Sequence, residues 1–231
     1  MARDISSARR RPYKGLYIGS SAGAHEAALA LVQRNGATTT SVLDVGAGSG
    51  AFLLRLRDNG FTGLRALEAP DEPFVLDDVP HGFHDLDTAF ALEVGEQFGL
   101  VTAIEVIEHR YSPFDFLRQL HGLVNDGGML LVTTPNVAHW VSRIKFLLRG
   151  EFRFFGQDLY RRIGHVSPVT DTQMRLMLEK LGFTVVESCA AGQLYSPLKR
   201  ALTAPLSLPF ALVSGPPVRG DVMLYLARKN A

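Results

Sequence analysis

The chain has a single cysteine, Cys189, in 231 residues. No intrachain disulfide can form, and a reducing compartment is expected. It has almost no net charge, since 24 basic side chains against 23 acidic ones leave a formal +1. That balance argues against a general polyanion-binding field. Basic residues cluster only in ARRRPYK (8–14) and YRR (160–162), which read as a solvated tail and a solvated helix end. No apolar run approaches the ~20 residues that span a bilayer. The stretch LTAPLSLPFALV (202–213) is apolar but broken by Pro205 and Pro209. The basic N-terminus has no apolar stretch after it, so a secretory leader is not expected. Internal repeats and low-complexity linkers are missing as well. A cytosolic chain with one domain over 1–231 is expected, since α/β domains often reach ~200–250 residues. Residues 1–22 form its N-terminal tail.

What the chain does have is alternation of strand-like and helical patterns. AHEAALALVQRNG (24–36) reads as a helix ended by Gly36, and SVLDVG (41–46) as a buried strand. AFLLRLRDNG (51–60) is a helix, GLRALEA (63–69) a strand, and a short strand is expected before HDLD (84–87). LVTAIEV (100–106) reads as the fourth strand. Ser112 and Pro113 then start a helix as N-cap and first helical residue. NDGG (125–128) reads as a turn into the strand MLLVTT (129–134). TDTQMRLMLEKLGF (170–183) is a helix with a Thr170/Gln173 capping box. FTVVES (183–188) and DVMLYLAR (221–228) are late strands. Strands alternating with helices imply a doubly wound, mainly parallel α/β sheet covered on both faces.

LDVGAGSGA places Gly46, Gly48 and Gly50 directly after a strand. Glycines there let the backbone turn sharply and let a ligand approach main-chain N–H groups, at the carboxyl end of the sheet where open α/β folds bind ligands. Gly46-x-Gly48-x-x-Ala51 also satisfies a relaxed NAD(P) pattern. Asp44 weighs against it, because a carboxylate at the strand end repels a pyrophosphate but favours the sulfonium and ammonium of S-adenosylmethionine. Glu68 ends the second strand and can accept both ribose hydroxyls; Asp85 is a candidate for the adenine edge. Surface loop acids are the plain alternative for both.

The pattern VLDVGAGSG, the acid Glu68, HDLD, LVTAIEVIEH, NDGGMLLVTTPN and LGFTVVE resembles the class I S-adenosylmethionine-dependent methyltransferases over roughly residues 25–190. The resemblance implies a Rossmann-like seven-stranded sheet whose last strand is antiparallel. It also implies a donor site at Asp44, Gly46, Ala47, Gly48, Gly50, Glu68, Asp85 and Glu105. One departure stands out: Gly99 replaces an aspartate that the family often carries before the fourth strand.

EVIEH packs Glu105, Glu108 and His109 into five positions. In a helical turn these three share a face, and two carboxylates so close repel unless a cation relieves them. His165, in the loop before the capped helix, is a plausible fourth ligand. Two carboxylates and two imidazoles suit Mg²⁺, Mn²⁺ or Zn²⁺. A metal site, an acid–base role for His109 without metal, and a structural role all stay open here. The motif is similar to that of the ubiquinone-biosynthesis O-methyltransferases and of the small-RNA 2′-O-methyltransferases. That resemblance implies Glu105, Glu108, His109 and His165 as catalytic metal ligands, the ion holding an acceptor hydroxyl and lowering its pKa.

The aromatic, basic stretch 139–162 reads as a helix to Leu148 ended by Gly150. It forms a lid or acceptor insertion, 137–169, with peripheral membrane contact as a second reading. The expected activity is O-methylation of a small hydroxylated molecule, phenolic, lipidic or sugar. No basic stripe or added RNA module points to nucleic acid as a partner. The rivals are RNA 2′-O-methylation, a nicotinamide-dependent oxidoreductase, and a binding module that has lost turnover.

Overall fold

The computed structural model describes residues 12–38, 40–70, 74–192, 204–213 and 217–231. The elements run α1 (Ala24–Arg34), β1 (Val42–Val45), α2 (Ala51–Asp58), β2 (Leu64–Glu68), β3 (His81–Phe83), α3 (Phe90–Val94) and β4 (Phe98–Ala103). They continue with a 3-10 turn (Ile107–His109), α4 (Pro113–Leu123), β5 (Val124–Pro135), α5 (Trp140–Arg149), α6 (Gln157–Ile163), α7 (Asp171–Lys180), β6 (Phe183–Ala191) and β7 (Val222–Lys229). The strands form one seven-stranded sheet in the order β3-β2-β1-β4-β5-β7-β6. β7 is antiparallel to both β5 and β6, and the remaining pairs are parallel.

Burial follows the period of two that a sheet imposes. Leu43, Val45, Val101, Ala103, Leu130 and Val132 face one core with Phe90, Phe116, Leu117, Leu120, Met174 and Leu178 from α3, α4 and α7. Val42, Leu100, Met129, Leu131 and Leu224 face the other, against Ala28, Leu31, Phe52, Leu53 and Leu56 from α1 and α2. With both faces covered, β1 is buried at all four residues, which is why it reads as a continuous apolar run. The chain order reverses between β1 and β4, so the crevice at their carboxyl ends is the switch point where such sheets take ligands. Because β7 is antiparallel, its start lies at that same end, with Val222 opposite Pro135.

The helix starts match expectation. Ser112 Oγ accepts from Asp115 N at 3.3 Å with Pro113 at the first position, and Thr170 and Gln173 form the reciprocal capping box. Two details differ. NDGG does not turn the chain: β5 already begins at Val124, which pairs with Phe98, and the register then shifts so that Met129 pairs with Leu100. The two glycines absorb a bulge within a longer strand. β4 ends at Ala103, so Glu105 lies beyond the strand rather than on it. The departure at Gly99 also has a steric reason, since a Cβ there would stand 2.1 Å from Thr38 Cγ2. The segment before β1 fills the space an aspartate would need.

The end of the N-terminal segment docks on α2: Tyr13 Oη donates to Asp58 at 2.6 Å, and the Arg55 guanidinium lies 4.1 Å over the Tyr13 ring. Residues 8–11 of the basic cluster, and 202–203 of the apolar stretch, lie outside the described residues. No helix among the described residues is long and apolar enough to cross a membrane.

Candidate active site

Between β1 and α2 the three glycines all take positive φ, at 74°, 55° and 86° for Gly46, Gly48 and Gly50. They differ in what surrounds them. A Cβ at Gly46 would meet Val106 Cγ2 at 2.4 Å, and one at Gly50 would meet Leu76 Cδ1 at 2.7 Å. At Gly48 nothing lies within 4 Å. Gly46 and Gly50 are therefore needed for packing, whereas Gly48 keeps open the side from which a ligand approaches.

The main-chain donors of this loop are turned inward. Gly46 N and Ala47 N donate to Leu67 O at 2.8 and 3.4 Å, and Gly48 N donates to Glu68 Oε2. Ala69 N donates to Glu68 Oε1 at 2.7 Å. Glu68, buried at the end of β2, thus braces the glycine loop through Oε2 while Oε1 holds the main chain that follows it. A carboxylate has about four acceptor positions, so capacity for ribose hydroxyls remains. Asp44 is 2% exposed and accepts from Thr102 Oγ1 at 2.6 Å. Burial, with a smaller push from Glu68, raises its pKa to about 7. A cationic ligand beside it would draw it back toward the carboxylate.

Asp85 is exposed, and its Oδ1 accepts from Asp87 N at 2.9 Å in a local turn. Its neighbour Asp87, which the sequence did not single out, joins this turn to the β4 loop. It accepts from Arg110 Nη1 at 3.2 Å and from Tyr111 N at 3.3 Å.

Beyond β4 the chain passes through Glu105 at φ 57°, a left-handed conformation that costs a non-glycine residue about 1–3 kcal/mol. Thr133 on β5 holds it there: its Oγ1 accepts from Glu105 N at 2.9 Å and donates to Glu105 Oε1 at 3.2 Å. The 3-10 turn then buries Glu108 completely, and neither of its carboxyl oxygens has a hydrogen-bond partner among the described residues. The loop carrying His165 is latched to this turn, since Val166 N and Ser167 N both donate to Glu108 O, at 2.9 and 3.0 Å. Ser167 Oγ donates to Arg110 O at 2.7 Å. As a result Glu108, His109 and His165 each offer a ligand atom within 4.8 Å of the others. The imidazoles meet edge to face with centroids 4.8 Å apart.

Glu105 is not in that set, so the expected four-residue cluster contracts to three. The turn at Glu105 removes it from the helical face that the spacing implied, and its carboxylate is engaged by Thr133.

The electrostatics of the cluster are unusual. Burial, and then the nearby Glu105 charge, pushes the Glu108 carboxyl well above the usual carboxylate range. Burial, with His165 and Arg110 adding to it, lowers His109 to about 4. His109 is therefore a neutral imidazole at neutral pH, with a lone pair to offer a metal or a proton. An orphaned buried carboxyl costs free energy in either protonation state. A divalent cation between Glu108 and two imidazoles would satisfy it, so these three residues fit such an ion; the mixed ligand set does not select which one.

A second polar group lies next to this one. Arg153, in the loop between α5 and α6, pairs with Asp221 at 2.5 Å, with side-chain exposures of 11% and 4%. Burial, with Arg153 adding to it, lowers nearby His139 to about 4; its Nδ1 caps α5 by accepting from Val141 N at 3.1 Å. Ser142 Oγ accepts from Arg153 N at 3.1 Å. An arginine and an aspartate 68 residues apart give no local signal in a sequence.

This strand order, with a glycine loop after β1 and an acid ending β2, is the architecture of a class I S-adenosylmethionine-dependent methyltransferase. Residues 21–188 match the model of a methyltransferase domain family, and the chain belongs to that family. A tRNA U34 carboxymethyltransferase from Pseudoalteromonas translucida is 27% identical over 171 residues, covering 70% of this chain and 50% of that protein. A ubiquinone biosynthesis O-methyltransferase from Pseudomonas syringae pv. tomato is 33% identical over 102 residues, covering 41% of this chain and 44% of that protein. The chain thus spans about half the length of these curated relatives. A methyltransferase from Archaeoglobus fulgidus shares the fold with a TM-score of 0.62 at 16% identity, over 89% of this chain and 95% of that one. Magnesium protoporphyrin IX methyltransferase from Synechocystis, solved with S-adenosylhomocysteine bound, has a TM-score of 0.58 at 12% identity, over 89% and 82%. The nicotinamide alternative falls with these results.

Proposed function

We propose that the protein methylates a hydroxyl of a small molecule, phenolic, lipidic or sugar, assisted by a divalent cation held by Glu108, His109 and His165. The observation that carries this reading is Glu108: a fully buried carboxyl with two unpartnered oxygens beside two imidazoles. Relatives named as ubiquinone O-methyltransferases support a hydroxyl acceptor. S-adenosylmethionine supplies the methyl group, and a cation at this cluster supplies Lewis acidity that lowers the pKa of the acceptor hydroxyl.

The chain's own residues position and shield. The ends of β1 and β2 brace the donor loop, with Asp44 favouring a sulfonium. Asp85, exposed near the end of β3, remains the candidate for the adenine edge. Glu105, held at its turn by Thr133, keeps a carboxylate near the cluster without joining it. His109, neutral at working pH, gives its one lone pair to the cation; only without a cation would it be the base that takes the acceptor proton. Residues 137–169 act as a lid that excludes water. On α5, Phe146, Leu147 and Leu148 are exposed beside Lys145 and Arg149. That composition suits contact with an anionic membrane surface and a lipid-borne acceptor reached from the cytosol.

A second reading takes RNA as the acceptor, favoured by the tRNA-directed relative that spans more of this chain than the quinone-directed one.

The test is methyl transfer to a panel of catechols, phenolic lipids and sugars, and to short RNAs, with and without EDTA. Transfer to a small hydroxylated acceptor that EDTA abolishes and Mn²⁺ or Zn²⁺ restores supports the first reading. Full activity in EDTA removes the metal and leaves His109 as the base. Transfer to RNA alone establishes the second reading.

A further inference from the structure

The structure assigns Arg153 and Asp221 a role toward the metal cluster: they are positioning residues that set His165 through the main chain of Phe154. The inference rests on the metal-assisted reading above and concerns residues outside that cluster.

Among the described ion pairs, Arg153–Asp221 is the one in which both partners are nearly buried, at 11% and 4%. The others each leave at least one side chain far more exposed. Asp221 sits immediately before β7, on the rigid sheet, and its carbonyl accepts from Asn136 N at 2.8 Å at the end of β5. Arg153 is on the lid loop. Its guanidinium lies 4.7 Å over the ring of the next residue, Phe154. The Phe154 carbonyl lies 2.9 Å from His165 Nδ1.

A carbonyl oxygen only accepts, so the proton of that bond belongs to Nδ1. With Nδ1 protonated, the lone pair of the neutral ring is on Nε2. An oriented carbonyl that fixes the tautomer of a ligating histidine is the general outer-shell device of metal sites. Here the carbonyl belongs to a loop between two helices and needs its own anchor. The buried ion pair supplies it, tying that loop to the start of β7. His109 makes its backbone hydrogen bonds with Ile163 and Gly164 at the end of α6. His165 is thus the ligand that depends on a contact with the sheet.

The experiment uses the full chain with Arg153→Met and the paired variant Arg153→Met/Asp221→Leu, which leaves no buried charge unpartnered. Three quantities are read: S-adenosylhomocysteine affinity, Mn²⁺ and Zn²⁺ affinity by calorimetry, and the His165 tautomer from ¹⁵N-edited NMR of the imidazoles. The expected result is unchanged S-adenosylhomocysteine affinity, metal affinity weakened by about tenfold or more, and loss of the single Nδ1–H tautomer. Arg153→Lys should restore part of the metal affinity.

Metal binding and tautomer both equal to wild type in the paired variant would overturn the inference. Should the wild type bind neither ion better than Glu108→Gln does, the metal reading itself fails, and the tautomer decides alone. Its loss in the paired variant keeps Arg153 and Asp221 as positioning residues for His165 in acid–base chemistry. Its retention removes them.

Discussion

On the β1–β2 side of the crevice, each buried carboxylate is answered by groups close at hand. Asp44 takes the Thr102 hydroxyl, and Glu68 takes two main-chain N–H groups. On the β4 side, Glu108 is more deeply buried and its side chain is answered by nothing among the described residues. The first half satisfies its buried carboxylates with protein groups. The second half carries an electrostatic deficit that protein atoms do not fill. Loss of the second half should therefore affect chemistry and spare donor binding, while loss of the first should do the reverse.

The largest expected effect is at Glu108. Glu108→Ala should lower methyl transfer by at least the ~100-fold that loss of a metal's supporting partner reaches, with S-adenosylhomocysteine affinity unchanged by calorimetry. Matching losses in both would erase the contrast between the halves.

The glycines sharpen it from the other side. Gly46→Ala places a methyl 2.4 Å from Val106 Cγ2 and should lower the melting temperature sharply. Gly48→Ala meets no atom and should cost only the ~1–2 kcal/mol of a left-handed backbone, yet weaken S-adenosylhomocysteine binding. Equal destabilisation by the two would contradict the open side at Gly48.

A further effect follows from pH. Asp44 is raised from an ordinary 3.8 to about 7 by burial, so the folded state holds a proton that the unfolded state has released. Its contribution to stability is fully present below about pH 4, is lost as pH rises toward about 7, and is flat above that. Urea midpoints of Asp44→Asn should therefore gain on wild type across that window. In the same titration, wild type should favour S-adenosylmethionine over S-adenosylhomocysteine more strongly as pH rises through 7, because the ionised carboxylate attracts the sulfonium. Asp44→Asn should show a flat ratio.

The smallest effect is peripheral: Phe146→Ser/Leu147→Ser should reduce co-sedimentation with anionic liposomes while leaving donor affinity alone. Unchanged co-sedimentation would take α5 out of any membrane contact.

The same contrast explains what was legible in the sequence. The donor half is encoded in one short run, Asp44 to Phe52, with Glu68 one strand later. Helix starts at Ser112 and Thr170 were legible because capping is local chemistry. Glu108, His109 and His165 could be named from residue type, but their meeting depends on the latch of Val166 and Ser167 onto Glu108 O, which no spacing encodes. Glu105 read as part of the strand because the apolar pattern runs on to Val106, and the turn that carries it past β4 is set by Thr133, 28 residues away. NDGG read as a turn because glycine pairs carry the same signal for a turn and for a bulge. Arg153, Asp221 and Asp87 gave no signal, since each acts through a partner far along the chain.

The most direct measurement is anomalous diffraction from crystals soaked with Mn²⁺ and S-adenosylhomocysteine. A manganese peak is expected about 2.0–2.3 Å from a Glu108 oxygen and from one nitrogen of each of His109 and His165, with the nucleoside beside Gly48. A crystal in which the nucleoside is bound and no manganese lies at Glu108 would contradict it.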